Sequence, residues 1–178
     1  EGDWLMEALA NYSALLYLEK RKGAQALDAV LSSYREDLLT KTESGATIES
    51  AGPIVWGLRL ESSHTPDAWR LITYEKGSWI LHMLRRRMGD DRFFNMLGQL
   101  RKRYQYKGIS TEEFRRLAAE FLPPKSPDPD LEVFFEQFVY STGVPSLKLE
   151  HTVRGSGPAY RVSGTVTQTG VDKEFSAY

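Results

Sequence analysis

The sequence holds no cysteine, which excludes disulfides and thiolate metal sites while fitting any compartment. No apolar run approaches the ~20 residues that span a bilayer, and no signal peptide is visible. Internal repeats and low-complexity tracts are missing too. His64, His82 and His151 share no metal-ligand spacing, and there is no H-E-x-x-H, so no motif supplies three zinc ligands from these residues. Neither sign of charge is in excess, since the net charge is −1. That balance argues against nucleic acid or an anionic membrane as the main partner. The short clusters Arg85-Arg86-Arg87 and Arg101-Lys102-Arg103 lie near helix ends, where cations are favoured, and no aromatic platform accompanies them. Gly155-x-Gly157 lacks a following helix, which removes a phosphate-loop reading.

What is present suits one ordinary domain, or one domain and a piece of another: 178 residues with 41% hydrophobic content. The first residue is Glu1 rather than methionine, which predicts a processed or truncated N-terminus. The fold is predicted to be mainly α followed by a short antiparallel β segment. Helices are expected over Trp4 to Arg21, stopped by Gly23, and over Ala24 to about Leu39. A polar surface stretch from Thr40 to Ser50 follows, then Gly52-Pro53 and a segment, Ile54 to Leu60, readable as a brief strand or an extended lining. Thr65 and Pro66 suit the cap and first position of a helix that runs to Met88 and ends at Gly89. Further helices are predicted from Asp90 or Asp91 to about Tyr104, from a Ser110/Glu113 capping box through Phe121, and from a cap at Asp130 through Phe138. From Pro145 the apolar period becomes two, with strands through Leu147, Leu149 and Thr152 or Val153, and through Tyr160, Val162, Thr165 and Val166. Val171 to Tyr178 resembles the start of a third strand. These patterns divide the chain into a helical part, 1–144, and a β part, 145–178.

Two positions invite chemistry. Glu7 interrupts the broad apolar face of the first helix, falling between Ala14 and Leu18, with Asn11 one turn on. A carboxylate there either reaches solvent at the helix start or needs a cation, a hydrogen-bond donor or a proton. At about 100° per residue, Tyr74 points the same way as Leu81, at the edge of an apolar arc formed by Trp69, Ile72, Ile80, Met83 and Leu84. Its ring can simply pack at that margin, or its hydroxyl can enter a cleft.

Several stretches, in order, resemble the aminopeptidase N and leukotriene hydrolase family of zinc metallopeptidases. Trp4-Leu5-Met6-Glu7-Ala8-Leu9-Ala10 resembles that family's W-L-x-E-G-x-A, and Tyr74-Glu75-Lys76-Gly77 resembles its Y-x-K-G at a similar separation. Gly57-Leu58-Arg59-Leu60, Leu81-His82-Met83-Leu84 and Phe134-Phe135-Glu136-Gln137-Phe138 with Thr142-Gly143-Val144-Pro145 extend the likeness. The resemblance implies the helical C-terminal part of a thermolysin-like catalytic domain, followed by the first strands of a β-sandwich. It implies that Glu7 is the third zinc ligand and that Tyr74 donates to the oxyanion formed as a peptide is hydrolysed beside its free N-terminus. The family's H-E-x-x-H precedes the ligand glutamate by about twenty residues, and only six precede Glu7. The expectation is therefore a zinc aminopeptidase as the full-length protein, with this piece inactive alone. Loss of a covering helix would expose apolar surface from Trp4 to Leu18 and favour self-association. The rival reading is a non-catalytic helical interaction module that keeps the fold without the metal.

Overall fold

The computed structural model describes residues 3–156, 159–171 and 175. By its internal contacts the chain divides into residues 1–142, which are helical, and residues 143–177, which hold a β-hairpin. The fold is mainly α with a short antiparallel sheet.

Helix α1 (Asp3–Lys22) is the centre of the helical unit, packing on α2 (Ala24–Leu39), on a π-helical turn (Leu71–Lys76) and on α4 (Gly77–Met88). Its inner stripe, Trp4, Leu5, Ala8, Tyr12 and Leu15, is buried as the apolar spacing requires. Gly23, at φ 89°, ends α1 in a conformation that favours glycine. The short α3 (Ala68–Arg70), the π-turn and α4 follow one another without a break, so residues 68–88 form one rod with a wide turn inside it. Helix α5 (Asp90–Tyr104) adds Phe93 and Met96 to the core. Helix α6 (Thr111–Ala119) starts from the expected capping box, with Ser110 accepting from the Glu113 amide and the Glu113 carboxylate accepting from the Ser110 amide. Helix α7 (Glu132–Phe138) brings Phe135 against Phe114, with Phe134 packed on Phe135.

Five local expectations are revised. Ile54–Leu60 is neither strand nor extended lining but a 3₁₀ stretch kinked at Gly57, whose φ of 58° breaks it in two. The rod begins at Ala68 rather than at Pro66, because the Thr65 hydroxyl bonds instead to Ser62 and to the Leu60 carbonyl, closing the turn before it. Neither Asp90 nor Asp91 caps α5; Gly89 occupies that position, and the Asp90 carboxylate takes two 2.8 Å hydrogen bonds from Arg85. At α7 Asp130 does accept from the Glu132 amide, at 3.1 Å, but it shares the helix start with the buried Asp128, which accepts from the Val133 and Phe134 amides after Leu131 turns the chain at φ 59°. In the polar stretch after α2, Ile48 and Glu49 are buried rather than on the surface.

In the second unit, β1 (Ser146–Ser156) pairs antiparallel with β2 (Ala159–Thr169). The strands reach further into the predicted turn than expected, since Arg154, Gly155 and Ser156 are already paired. Gly157 and Pro158 lie outside the described residues, as does most of the predicted third strand from Val171 to Tyr178.

Candidate active site

The rod's wide turn is the first unusual feature of the helical unit. Between Leu71 and Lys76 the backbone adopts the π form, and the Gly77 amide donates back to the Ile72 carbonyl, five residues earlier. Such turns carry one residue more than an α-turn and are frequent at functional sites. Tyr74 lies in the middle of this one. Its partly buried ring stands edge-on to Trp69, with centroids 6.0 Å apart.

Across from the π-turn, α1 presents Glu7 and Asn11. The Glu7 carboxylate faces the Tyr74 hydroxyl, and its hydrogen-bonding influence is the largest cause pushing the phenol's pKa up, ahead of burial and of the carboxylate's negative charge. Asn11, one turn on, joins four elements. Its Nδ2 lies 3.2 Å from the Tyr74 carbonyl, 3.0 Å from the Ser78 hydroxyl and 3.2 Å from the Tyr34 hydroxyl of α2. The π-turn's irregular backbone is thus met by a side-chain donor from the neighbouring helix.

Close approach makes this meeting feasible. A Cβ placed on Gly77 would lie 2.6 Å from the Ala8 Cβ, inside any real carbon contact. The glycine lets α4 sit directly on α1 one residue past Glu7. Just past Tyr74 the turn is tied by charge. Glu75 is buried and receives Arg70 Nη1 on Oε1 at 3.5 Å, while its Oε2 has no hydrogen-bond partner among the described residues. Burial first, and then the Asp37 carboxylate, push its carboxyl up to about 7 against the pull of Arg70. Lys76 is buried as well and bonds Glu49.

The structure brings Glu7 and Tyr74 together from 67 positions apart in the sequence. It does not gather the histidines: His82 Nδ1 pairs with the Tyr12 hydroxyl at 3.0 Å inside the bundle, whereas His64 and His151 are exposed. Among the described residues no group of three His, Cys, Asp or Glu could hold a metal ion. Nor does Glu7 form an ion pair among them, so the carboxylate facing Tyr74 has no cation there. One oxygen ligand for a zinc ion fits this donor set; a complete zinc site, which needs three protein ligands, does not. Sequence reasoning assigned no part to Glu49, and no signal singles it out within its polar stretch. Asn11 was legible as a second polar residue on an apolar face.

The helical unit thus sets a tyrosine opposite a carboxylate that has no cation partner among the described residues. Residues 2–141 match the Peptidase family M1 domain, and the chain belongs to that family of metallopeptidases. No curated protein and no solved structure matched the chain in similarity searches. The resemblance drawn from W-L-x-E and Y-x-K-G thus stands at the level of the family. No helix among the described residues is long and apolar enough to cross a membrane.

Proposed function

We propose that Glu7 is one carboxylate ligand of a catalytic zinc ion and that Tyr74 is a hydrogen-bond donor to the oxyanion, in an aminopeptidase that takes peptides by their free N-terminus. The observation that carries this reading is the packing of α1 on the π-turn, tied by Asn11 to the Tyr74 carbonyl, which sets Tyr74 opposite a Glu7 carboxylate without a cation partner among the described residues. Zinc would supply Lewis-acid polarisation of the scissile carbonyl and a more acidic water. The chain's own residues would do the rest of what is visible here. Glu7 would contribute one negative oxygen ligand, Tyr74 would stay protonated and donate to the oxygen on which charge develops, and Asn11 would hold the turn that carries Tyr74. The two histidine ligands and the general base would come from a preceding segment of the full-length protein, and the 178 residues alone would be inactive. Residues 145–178 would begin the β-sandwich that follows the catalytic domain.

The test is zinc content in a chain extended upstream by about fifty residues, enough to include an H-E-x-x-H, compared with the same chain carrying Glu7→Gln. One tightly held zinc, weakened by the substitution, is the expected result. With zinc bound, Tyr74→Phe should lower kcat for an aminoacyl substrate about 10²–10³-fold with zinc content and KM little changed. Absence of zinc from both extended chains would leave the fold standing and transfer the reading to a non-catalytic module.

A further inference from the structure

The buried ion pair behind the π-turn is not explained by the proposed chemistry. Lys76 donates to Glu49 Oε1 at 2.7 Å and to the Ser141 carbonyl at 3.1 Å, and the two charged side chains are 8% and 2% exposed. Such a pair is a poor source of net stability, because removing both charges from water offsets most of their attraction. Its best-attested use is to fix a register. Here a register needs fixing, since a π-turn holds one residue more than an α-turn and regular helical bonding does not by itself set its place in the rod. Lys76 is the last residue of that turn, and the next amide, of Gly77, closes it onto Ile72. The ties run to a 3₁₀ segment (Glu49–Ala51) and to the chain just beyond α7, both outside the rod.

We propose that Lys76 is a positioning residue: held by Glu49 and by the Ser141 carbonyl, it pins the π-turn between Leu71 and Lys76 and so keeps the Tyr74 hydroxyl at Glu7. The functional weight of this device rests on the reading of Tyr74 as an oxyanion donor, but its structural content does not. It acts through Tyr74 and touches no substrate.

The experiment uses NMR on the 178-residue chain, without zinc, so its outcome is independent of the metal test. The edge-on packing of Tyr74 against Trp69 gives ring-to-ring NOEs that report the register, and the exchange rate of the Gly77 amide reports closure of the π-turn. Two variants are compared, Glu49→Gln, which keeps Lys76 and removes the charge opposite it, and the double variant Lys76→Met with Glu49→Leu, which removes both charges. In Glu49→Gln, Gly77 exchange should rise about tenfold or more while the Leu84 amide in α4 stays protected. In the double variant the Tyr74 to Trp69 NOEs should vanish with helical circular dichroism retained. A folded Glu49→Gln with wild-type Gly77 exchange, or a folded double variant with wild-type NOEs, overturns the proposal. If the double variant does not fold, Glu49→Gln alone decides. Loss of register in the variants together with no zinc in the extended chain would sink the catalytic reading and leave the pin in place.

Discussion

Glu75 stands next to Tyr74 in the chain, yet its carboxyl is walled in by the bundle, and that placement has a consequence for pH. Its folded pKa, pushed up to about 7 from the ordinary 4.5, means that the native state holds this proton to higher pH than the unfolded chain does. The stability it contributes is therefore complete below about pH 4.5 and is lost as pH rises through about 7. Glu75→Gln, neutral at every pH, should flatten the stability profile across that window and leave the protein more stable than wild type at pH 8. The gain should be no more than about 3 kcal/mol, reduced by the partner charge on half-exposed Arg70. Urea unfolding of both proteins at pH 5 and pH 8 measures it, and parallel profiles would show that Glu75 does not titrate in this range. At this scale the sequence was informative where a residue broke a pattern. Glu7 and Asn11 were visible as polar groups on an apolar face, but nothing in the sequence says that their partners would be a tyrosine and a backbone carbonyl 63 to 67 positions away, because long-range partners are set by packing and not by local pattern.

The rod through residues 68–88 shows why element limits were easier to read than element interiors. Gly23, Gly89 and the Ser110/Glu113 pair mark their boundaries by local chemistry, and the structure places ends at each. The π-turn left no such mark. A uniform 100° projection still places Ile72, Ile80 and Leu84 inside, so the apolar pattern tolerates the extra residue without announcing it. What the motif does encode is the contact that follows the turn, where Gly77 meets Ala8. Gly77→Ala should cost about 1–3 kcal/mol, since a methyl group cannot share the space of the Ala8 Cβ, even though alanine is the better helix former. Ala8→Gly should cost about 1 kcal/mol alone through helix propensity, yet partly rescue Gly77→Ala by reopening the contact. A double-mutant cycle from urea unfolding should give a favourable coupling energy; strict additivity would mean that the two helices do not meet at these carbons.

For the molecule as a whole, the apolar surface left open differs from the surface the sequence suggested. Trp4, Leu5, Ala8, Tyr12 and Leu15 are buried, so the apolar face of α1 that remains exposed is the narrower arc of Met6, Ala10, Ala14 and Tyr17. The hairpin offers more. Its register places Leu147, Leu149 and Val153 on the same face as Tyr160, Val162 and Val166, each 56% to 66% exposed, while Lys148, Glu150, Arg154 and Arg161 occupy the other. Period two in the sequence was enough to foresee this alternation. It could not foresee that the apolar face would stay uncovered, because coverage depends on what packs there. An exposed apolar face on a two-stranded ribbon, with no further strand paired to its edges among the described residues, favours contact with a second copy. Sedimentation velocity should therefore show reversible association at about 10–100 µM chain, driven mainly by the hairpin. Val162→Lys with Val166→Lys should return the chain to monomer, because two charges would then have to be buried in the contact. Met6→Glu with Tyr17→Glu should weaken association less. If the α1 pair abolishes association and the hairpin pair does not, the narrower arc is the interface after all, and a monomer across the whole range would show that neither face is sticky enough to matter.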